Sequence, residues 1–544
     1  MYVASIPDGA SFDYVIVGSG SAGCVLANRL TADGRHTVLL MEAGGRDNHY
    51  NIRIPMLVAD VLSDTRWTWP YVTAPQPHLD GKPRKWIRGK VIGGCSSING
   101  NLFVRGDPAE FDAWRDALGC EGWGYADLLP IFMRLEDCPE GDPASRGSGG
   151  PIRCTRPRGP DTLSDAFVDA CAEAGSRRLG DYNDGSYEGA FLLQYSIRKG
   201  LRDSSASGYL RQAIGRRNLT VLPNATATRI AMDGRRATGV EYRAGGRIGA
   251  VKSTREVVLS AGPLASPQLL ELSGIGNGDL LRELGVPGIH HLPGVGENLR
   301  DHPNMRMTFE CSKPVTINDV MRSPLRKAKE ALRFALMREG ILAMSSSSAQ
   351  MNYRSRPDVR RADMVLRLLR FSGESRYSRR AGYGLDRYPG FTIGVAVLQP
   401  RSTGTVHIES RDPMQQARMD PRYLAEPDDA RMFVEGMRFA RRVAAMPSLK
   451  PLVVRETRPG ADADDDAALL QYAREAIQTS WHMVGTTKMG IDAMAVVDPQ
   501  LRVHGIASLR VIDSGICPTI PSSNTNIPAI AIGEKGADLL LATA

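Results

Sequence analysis

A chain of 544 residues is larger than one core of the usual size, roughly 100 to 200 residues per domain, so two or more lobes and room for a buried cofactor are expected. Hydrophobic residues make up 42% and charged residues 24%, an ordinary globular balance, and no apolar run approaches the roughly 20 residues that span a bilayer. The formal charge of +8 comes from arginines spread along the chain, which reads as a solvated basic surface and not as a nucleic-acid face.

Residues 1–12 lack a basic segment followed by an apolar one, so a secretory leader is not expected. Eight cysteines are scattered without a CxxC pair or zinc-ligand spacing, which suits reduced thiols and argues against a disulfide scaffold or a metal site. A cytoplasmic protein follows as the expectation, with a peripheral membrane contact as its alternative.

In chain order, residues 14–17 read as a strand, 18–23 as a glycine-rich turn, 22–30 as a helix and 37–41 as a second strand ending in Glu42. This is a parallel crossover unit. Within it Gly18, Gly20 and Gly23 form GxGxxG, where missing side chains let a pyrophosphate approach backbone N–H groups at a helix start. Glu42 follows Gly23 by 19 residues, the spacing of a carboxylate that accepts from ribose hydroxyls. A second glycine-rich segment, GKVIGGCSSINGN at 89–101, suits another part of an extended cofactor, which favours a flavin dinucleotide over a nicotinamide one.

Residues 140–160 are rich in Gly, Pro, Ser and Arg and read as a loop between lobes. Strands are expected at 219–222 and 255–261, and alternation at 391–398 and 404–408 suggests an antiparallel sheet facing a substrate. Residues 325–338 are amphipathic and basic and are expected to pack on the protein itself. The acidic run 462–466 reads as a turn.

Two late segments carry chemistry. His482 stands in SWHMVGTTKMG, and an imidazole suits taking a hydroxyl proton at neutral pH, although a histidine read in isolation is more often structural. His290, His291 and His302 match no metal-site spacing. In DSGICPTIPSSNTNIPAIAIGE, Asn526 offers an amide donor and acceptor suited to orienting an alcohol oxygen; taken alone, Asn524 and Asn526 are turn residues.

FDYVIVGSGSAGCVLANRL, LLMEAGG, GKVIGGCSSINGNLFVRG, AGPLASPQLLELSGIG, WHMVGTTKMG and PSSNTNIPAIAIGEK, in this order, closely resemble the glucose–methanol–choline oxidoreductase family, and within it the bacterial choline-dehydrogenase-like alcohol oxidoreductases. The resemblance implies an α/β (α+β overall) chain with a PHBH-like two-lobe fold. A Rossmann-like FAD-binding domain at 1–155, 200–312 and 465–544 would accompany an antiparallel-sheet substrate domain at 156–199 and 313–464. It further implies that His482 and Asn526 form the catalytic pair. FAD contacts carry over to Gly18, Gly20, Gly23, Glu42, Trp69, Gly94, Asn99, Asn101, Ala227 and Asp513.

Ile98 stands where some members attach FAD through histidine, so noncovalent FAD is expected. Ser348 stands where choline-specific members place a glutamate toward the trimethylammonium group, so an uncharged primary alcohol is expected over choline. Cys95, where many relatives have Ser, is expected to be structural. The electron acceptor stays open between oxygen, a quinone and a redox protein. Choline dehydrogenase proper, a lyase or flavin photoenzyme on the same scaffold, and a catalytically silent FAD-binding protein are the alternatives.

Overall fold

The computed structural model describes residues 1–156, 161–374 and 384–543; residues 157–160 of the expected inter-lobe loop lie outside them. The elements that build the site are, in chain order, β1 (Ala10–Val17), α1 (Ser21–Leu30), β2 (Val38–Met41), β3 (Gly189–Leu192), β4 (Leu219–Leu222), β5 (Ala225–Asp233), β6 (Arg236–Ala244), β7 (Arg247–Leu259), β8 (Pro303–Cys311), α2 (Pro324–Met337), β9 (Ser347–Tyr353), β10 (Met364–Leu369), β11 (Gly390–Val397), α3 (Pro427–Ala444), β12 (Val453–Arg458), β13 (Leu509–Val511) and α4 (Asn526–Leu541).

The first sheet runs β4-β2-β1-β7-β6-β5, with β13 beside the end of β7. Strands β4, β2, β1 and β7 are parallel, and β7 continues into an antiparallel ribbon with β6 and β5. Parallel strands are covered on both faces, which explains why Val15 and Ile16 of β1 and all of β2 are buried with no polar alternation. Helix α1 is buried on most of its circumference because α4 crosses it, and Gly533 permits the close approach: a Cβ there would lie 2.9 Å from the Ala22 Cα.

The second sheet runs β12-β8-β11-β10-β9-β3 and its pairings are antiparallel. It reads with period two. Met305, Met307, Met364, Leu366, Leu368, Ile393 and Val395 point into a core closed by α3, whereas Asn304, Arg306, Val365, Arg367, Gly394 and Ala396 point into a large cavity between the two sheets. The expected α/β architecture with an antiparallel substrate sheet is therefore present. One edge differs from the sequence reading: β8, assigned there to the nucleotide part that ends at 312, runs through the second sheet.

Helix α2 also differs. Of its apolar residues only Phe334 is buried, while Leu325, Leu332, Leu336 and Met337 are exposed, so it packs on the protein through one residue and not along the apolar face expected. Asp465 caps the helix that follows the acidic run by accepting from the Ala468 N–H, so only part of that run is turn. Among the described residues no helix is long and apolar enough to cross a membrane.

The segment after the second glycine-rich loop is anchored by charge. Fully buried Glu136 accepts from Arg105 and Arg146, and Arg146 also meets Asp181. Arg105 and its neighbour Phe103 bind Asn183 and Tyr182, which ties 103–105 to the 181–183 turn. Removing one member of such a network strands charge in a low dielectric. Glu136→Ala is expected to cost about 3–5 kcal/mol of stability, visible as a large fall in thermal unfolding midpoint, with Glu136→Gln intermediate. A loss under ~1 kcal/mol for Glu136→Ala would show that Arg105 and Arg146 find other partners.

Candidate active site

The cavity, about 780 Å³, begins at the C-terminal edge of the parallel strands and ends on the antiparallel sheet. At its first end the chain reverses at Gly18, where φ is +99° and a Cβ would stand 2.5 Å from the Ser260 carbonyl oxygen, which leaves room only for glycine. A Cβ on Gly23 would sit 2.0 Å from the Gly18 carbonyl oxygen, so this glycine lets α1 press against the turn. Gly20 is the N-cap of α1 and makes no side-chain cap, so the first helical N–H groups open toward the cavity that Gly20, Ser21 and Ala22 line. That is the chemistry of an anion seat.

Glu42, at the end of β2, accepts from the Ser19 N–H (3.1 Å), the Ser19 hydroxyl (2.7 Å) and the Gly44 N–H (2.8 Å). Burial pushes its carboxyl above the usual range, and these donors oppose that shift. The second glycine-rich segment packs directly on the first: the Gly93 N–H donates to the Ser19 carbonyl at 2.8 Å, and Gly94 at φ +52° nearly touches Gly20. Two glycine-rich turns and an uncapped helix start on one elongated cavity fit an extended pyrophosphate-bearing cofactor.

Of the ten residues expected to contact it, Gly18, Gly20, Glu42, Trp69, Gly94, Asn99, Ala227 and Asp513 line the cavity. Gly23 and Asn101 do not. Gly23 works from behind the turn, and the Asn101 side chain is drawn back to accept from Arg202. Asp513 accepts from the Gly262 and Gly515 N–H groups and the Ser266 hydroxyl, which holds the end of β13 against the first lobe.

At the other end His482 is fixed from three sides. Its backbone N–H donates to Asp301 Oδ1 at 2.8 Å, and Asp301 is itself held by the Tyr423 hydroxyl. Its Nδ1 lies 2.9 Å from His302 Nδ1, and its Nε2 lies 2.9 Å from Asn524 Nδ2. The expectation of Asn526 beside His482 is corrected by this geometry. Asn524 occupies that place, and Asn526, the first residue of α4, accepts from the Ser21 hydroxyl at 2.9 Å and joins the starts of α4 and α1. The two asparagines are separated by one turn residue, and nothing in SSNTN ranks them.

The hydrogen-bond network assigns every proton in this cluster. His302 Nε2 is 2.9 Å from the Leu398 carbonyl, which can only accept, so Nε2 carries hydrogen and Nδ1 of the neutral ring is an acceptor. His482 Nδ1 therefore donates to it, which leaves His482 Nε2 as a bare lone pair that accepts from the Asn524 amide. Arg367 donates to Asn524 Oδ1 at 3.1 Å and to Gln350 Oε1 at 2.8 Å, and so fixes which way the Asn524 amide faces.

Burial, opposed by the Leu398 bond and reinforced by Arg367, lowers His302 to about 3. Burial first, then His302, Arg367 and Arg88, also lowers His482 well below the ordinary imidazole range. Both rings are neutral at pH 7. The arrangement presents one aimed, unprotonated nitrogen to the cavity.

On sequence alone His302 has no assigned site, and Arg367 and Gln350 are not singled out. A lone arginine in the apolar run MVLRLL was the available signal for Arg367; His302 gave none. Ser348, expected to face the substrate, is corrected as well: its hydroxyl turns away to Ser164, 2.7 Å distant, across a register shift in β9, and Gln350 faces the cavity instead. Ile98 is buried and lines the cavity, and Cys95 accepts from the Gly89 N–H.

Comparison with known proteins identifies the family. Residues 12–304 match the N-terminal family model described as GMC oxidoreductase and residues 400–533 match its C-terminal model. The chain is similar to the oxygen-dependent choline dehydrogenase of Photobacterium profundum, 37% identical over 535 residues covering 98% of this chain and 93% of that protein. Its counterpart in Burkholderia ambifaria is 39% identical over 531 residues, covering 97% of this chain and 93% of the relative. Among solved structures, pyridoxine 4-oxidase from Mesorbium loti superposes with a TM-score of 0.86 at 29% identity, covering 97% of this chain and 98% of that one. A mutant form of formate oxidase from Aspergillus oryzae RIB40 superposes with a TM-score of 0.91 at 26% identity, covering 99% of both chains. With family models spanning more than half of the sequence and relatives similar over nearly all of it, the chain belongs to the GMC oxidoreductase family and is an FAD-dependent alcohol oxidoreductase.

Proposed function

We propose that the protein oxidises a primary alcohol to the aldehyde, with His482 as the base and Asn524 as its companion. The observation that carries this reading is the bare Nε2 of His482, aimed into the cavity 2.9 Å from the Asn524 amide nitrogen. FAD, when bound, supplies the acceptor for the hydride leaving the carbinol carbon. The chain's own residues do the rest. An alcohol oxygen that replaces the direct Asn524–His482 hydrogen bond gives its proton to His482 Nε2 and receives a hydrogen bond from Asn524 Nδ2. The developing oxyanion character makes the adjacent C–H bond a better hydride donor, and a positioned donor of this kind contributes roughly 10²–10³ in rate. The line of hydrogen bonds running from His482 ends at His302, because the Leu398 carbonyl that holds the His302 Nε2–H cannot take a proton onward.

In this reading the backbone at Gly18, Gly20 and Gly94 cradles the cofactor phosphates, Glu42 takes the ribose hydroxyls, and Trp69, Asn99, Ala227 and Asp513 line its remaining length, while Gly23 and Asn101 brace the turns from behind. Ile98 supplies no nucleophile, so FAD is held without a covalent bond. Choline is a poor substrate, supported now by the Arg367 guanidinium beside the catalytic pair and no longer by Ser348.

With FAD loaded, His482→Ala is expected to keep the flavin visible spectrum and to slow anaerobic flavin reduction by an alcohol by roughly 10²–10⁴. Asn524→Ala should lose less than His482→Ala and more than Asn526→Ala. Rapid mixing under anaerobic conditions measures all three, and a larger loss at Asn526 than at Asn524 would overturn the pairing drawn here.

The pH dependence has a definite sign. A base lowered by burial is already unprotonated above its folded value, so reduction should rise with pH, reach its plateau by about pH 6.5 and stay flat above it. An acid limb centred above pH 7 would contradict a neutral His482. Acid precipitation of the holoprotein should release all yellow colour into the supernatant; colour kept in the pellet would mean a covalent link that Ile98 does not explain.

A further inference from the structure

Arg306 of β8 pairs with Gly394 of β11, Gly394 pairs with Arg367 of β10, and Arg367 pairs with Gln350 of β9. The four residues therefore form one row across four adjacent strands. Paired residues project from the same face of a sheet, and here all four line the cavity. Neighbouring strands lie about 4.8 Å apart, so the two arginine backbones stand on the order of 10 Å apart with a residue lacking a side chain between them.

Gly394 is not demanded by its backbone. A Cβ there would meet nothing nearer than 3.6 Å, an ordinary contact, and its φ is not in the left-handed region. What glycine does at this place is leave the floor between the two arginine stems open. Arg306 lies over the Phe371 ring, 5.3 Å from its centroid, and Arg367 is oriented by Gln350 and Asn524. Among the described residues lining the cavity, the carboxylates are Glu42, Asp60 and Asp513, none of them on this sheet. The substrate end of the cavity thus combines the Arg306 guanidinium, the Arg367 guanidinium that Gln350 and Asn524 hold in place, uncharged polar groups such as Asn304, and apolar walls. A guanidinium presents a planar pair of donors that matches a carboxylate.

We propose that Arg306 and Arg367, across the gap at Gly394, seat a carboxylate of the substrate, so that the alcohol oxidised is a hydroxy acid with its hydroxyl at His482 and its carboxylate on this row. The proposal rests on the alcohol-oxidising reading above and replaces the expectation of an uncharged alcohol. In the reaction, HO–CH₂–R–COO⁻ becomes OHC–R–COO⁻: the hydroxyl proton goes to His482 Nε2, and the carbinol C–H bond breaks with its electron pair leaving as hydride to FAD. The carboxylate is unchanged and serves to set the distance between the hydroxyl and the sheet.

The test uses the FAD-loaded protein and a series of ω-hydroxy acids of increasing chain length, each with its methyl ester, together with the matching dicarboxylates, which have no hydroxyl to oxidise. At one or more lengths the acid should exceed its ester in kcat/KM by roughly 10-fold or more, and the matching dicarboxylate should perturb the flavin absorbance as it binds. Arg306→Met should cut the acid-to-ester ratio and weaken dicarboxylate binding by roughly 10- to 100-fold, with Arg306→Lys recovering part of both. Gly394→Val, which closes the gap without touching either guanidinium, should cut the same ratio, and it stands in if Arg306→Met does not fold. Esters turned over as well as acids at every length, or dicarboxylate binding that ignores both substitutions, would overturn the proposal. If no alcohol reduces the flavin while dicarboxylates still bind in an Arg306-dependent way, the reaction assigned above fails and the anion seat stands.

Discussion

A backbone carbonyl cannot donate a hydrogen bond, and at Leu398 that constraint propagates through five groups. It puts the hydrogen of His302 on Nε2, the hydrogen of His482 on Nδ1, and a lone pair on His482 Nε2, where the Asn524 amide reaches it; Arg367 closes the chain from the far side by holding the Asn524 oxygen. Every donor points the same way along the chain, from Arg367 toward Leu398. The base proposed above must meet its substrate without a proton at the reacting nitrogen, and the hydrogen-bond chain leaves that nitrogen unprotonated before any ligand arrives. Burial and the nearby guanidinium reinforce it by disfavouring the imidazolium form.

The two lobes contribute different halves of this arrangement. Parallel strands of the first sheet end in glycine-rich turns whose close packing brings backbone N–H groups to the cavity, and those turns tolerate no side chain at Gly18 or Gly23. The second sheet contributes side chains through its alternation: apolar residues on one face build a core under α3, and the opposite face carries Asn304, Arg306, Arg367 and Gln350 into the cavity. His482 lies where the lobes meet, its backbone tied to Asp301 just before β8 and its ring to Asn524 just before α4. Backbone recognition at one end and side-chain recognition at the other divide the cavity by chemistry as well as by position.

That division bears on what the family likeness can carry. The likeness runs over nearly the whole chain, and the family models cover the stretches that hold the glycine turns and the histidine segment, so the reaction class transfers readily. The substrate half depends on which residues occupy one face of the antiparallel sheet, and here that face is basic. A quaternary ammonium beside Arg367 would meet like charge in a partly desolvated site, where little water remains to screen it.

Sequence alone determined the features that depend on local chain chemistry. The crossover unit at 14–42, the GxGxxG turn, the strand at 219–222 and the alternation at 391–398 were all legible, because glycine conformations, apolar periodicity and spacing over tens of residues are written in consecutive positions. Tertiary structure decided the rest. His302 lies 180 positions from His482, Arg367 lies 157 from Asn524, and the row through Arg306, Gly394, Arg367 and Gln350 exists only once four strands pair in register. The choice of Asn524 over Asn526 turned on where α4 begins, since the helix start commits Asn526 to Ser21 and leaves Asn524 in the preceding turn, free to face the histidine. The direction of Ser348 likewise turned on a one-residue register shift, which in a strand of period two sends a side chain to the opposite face.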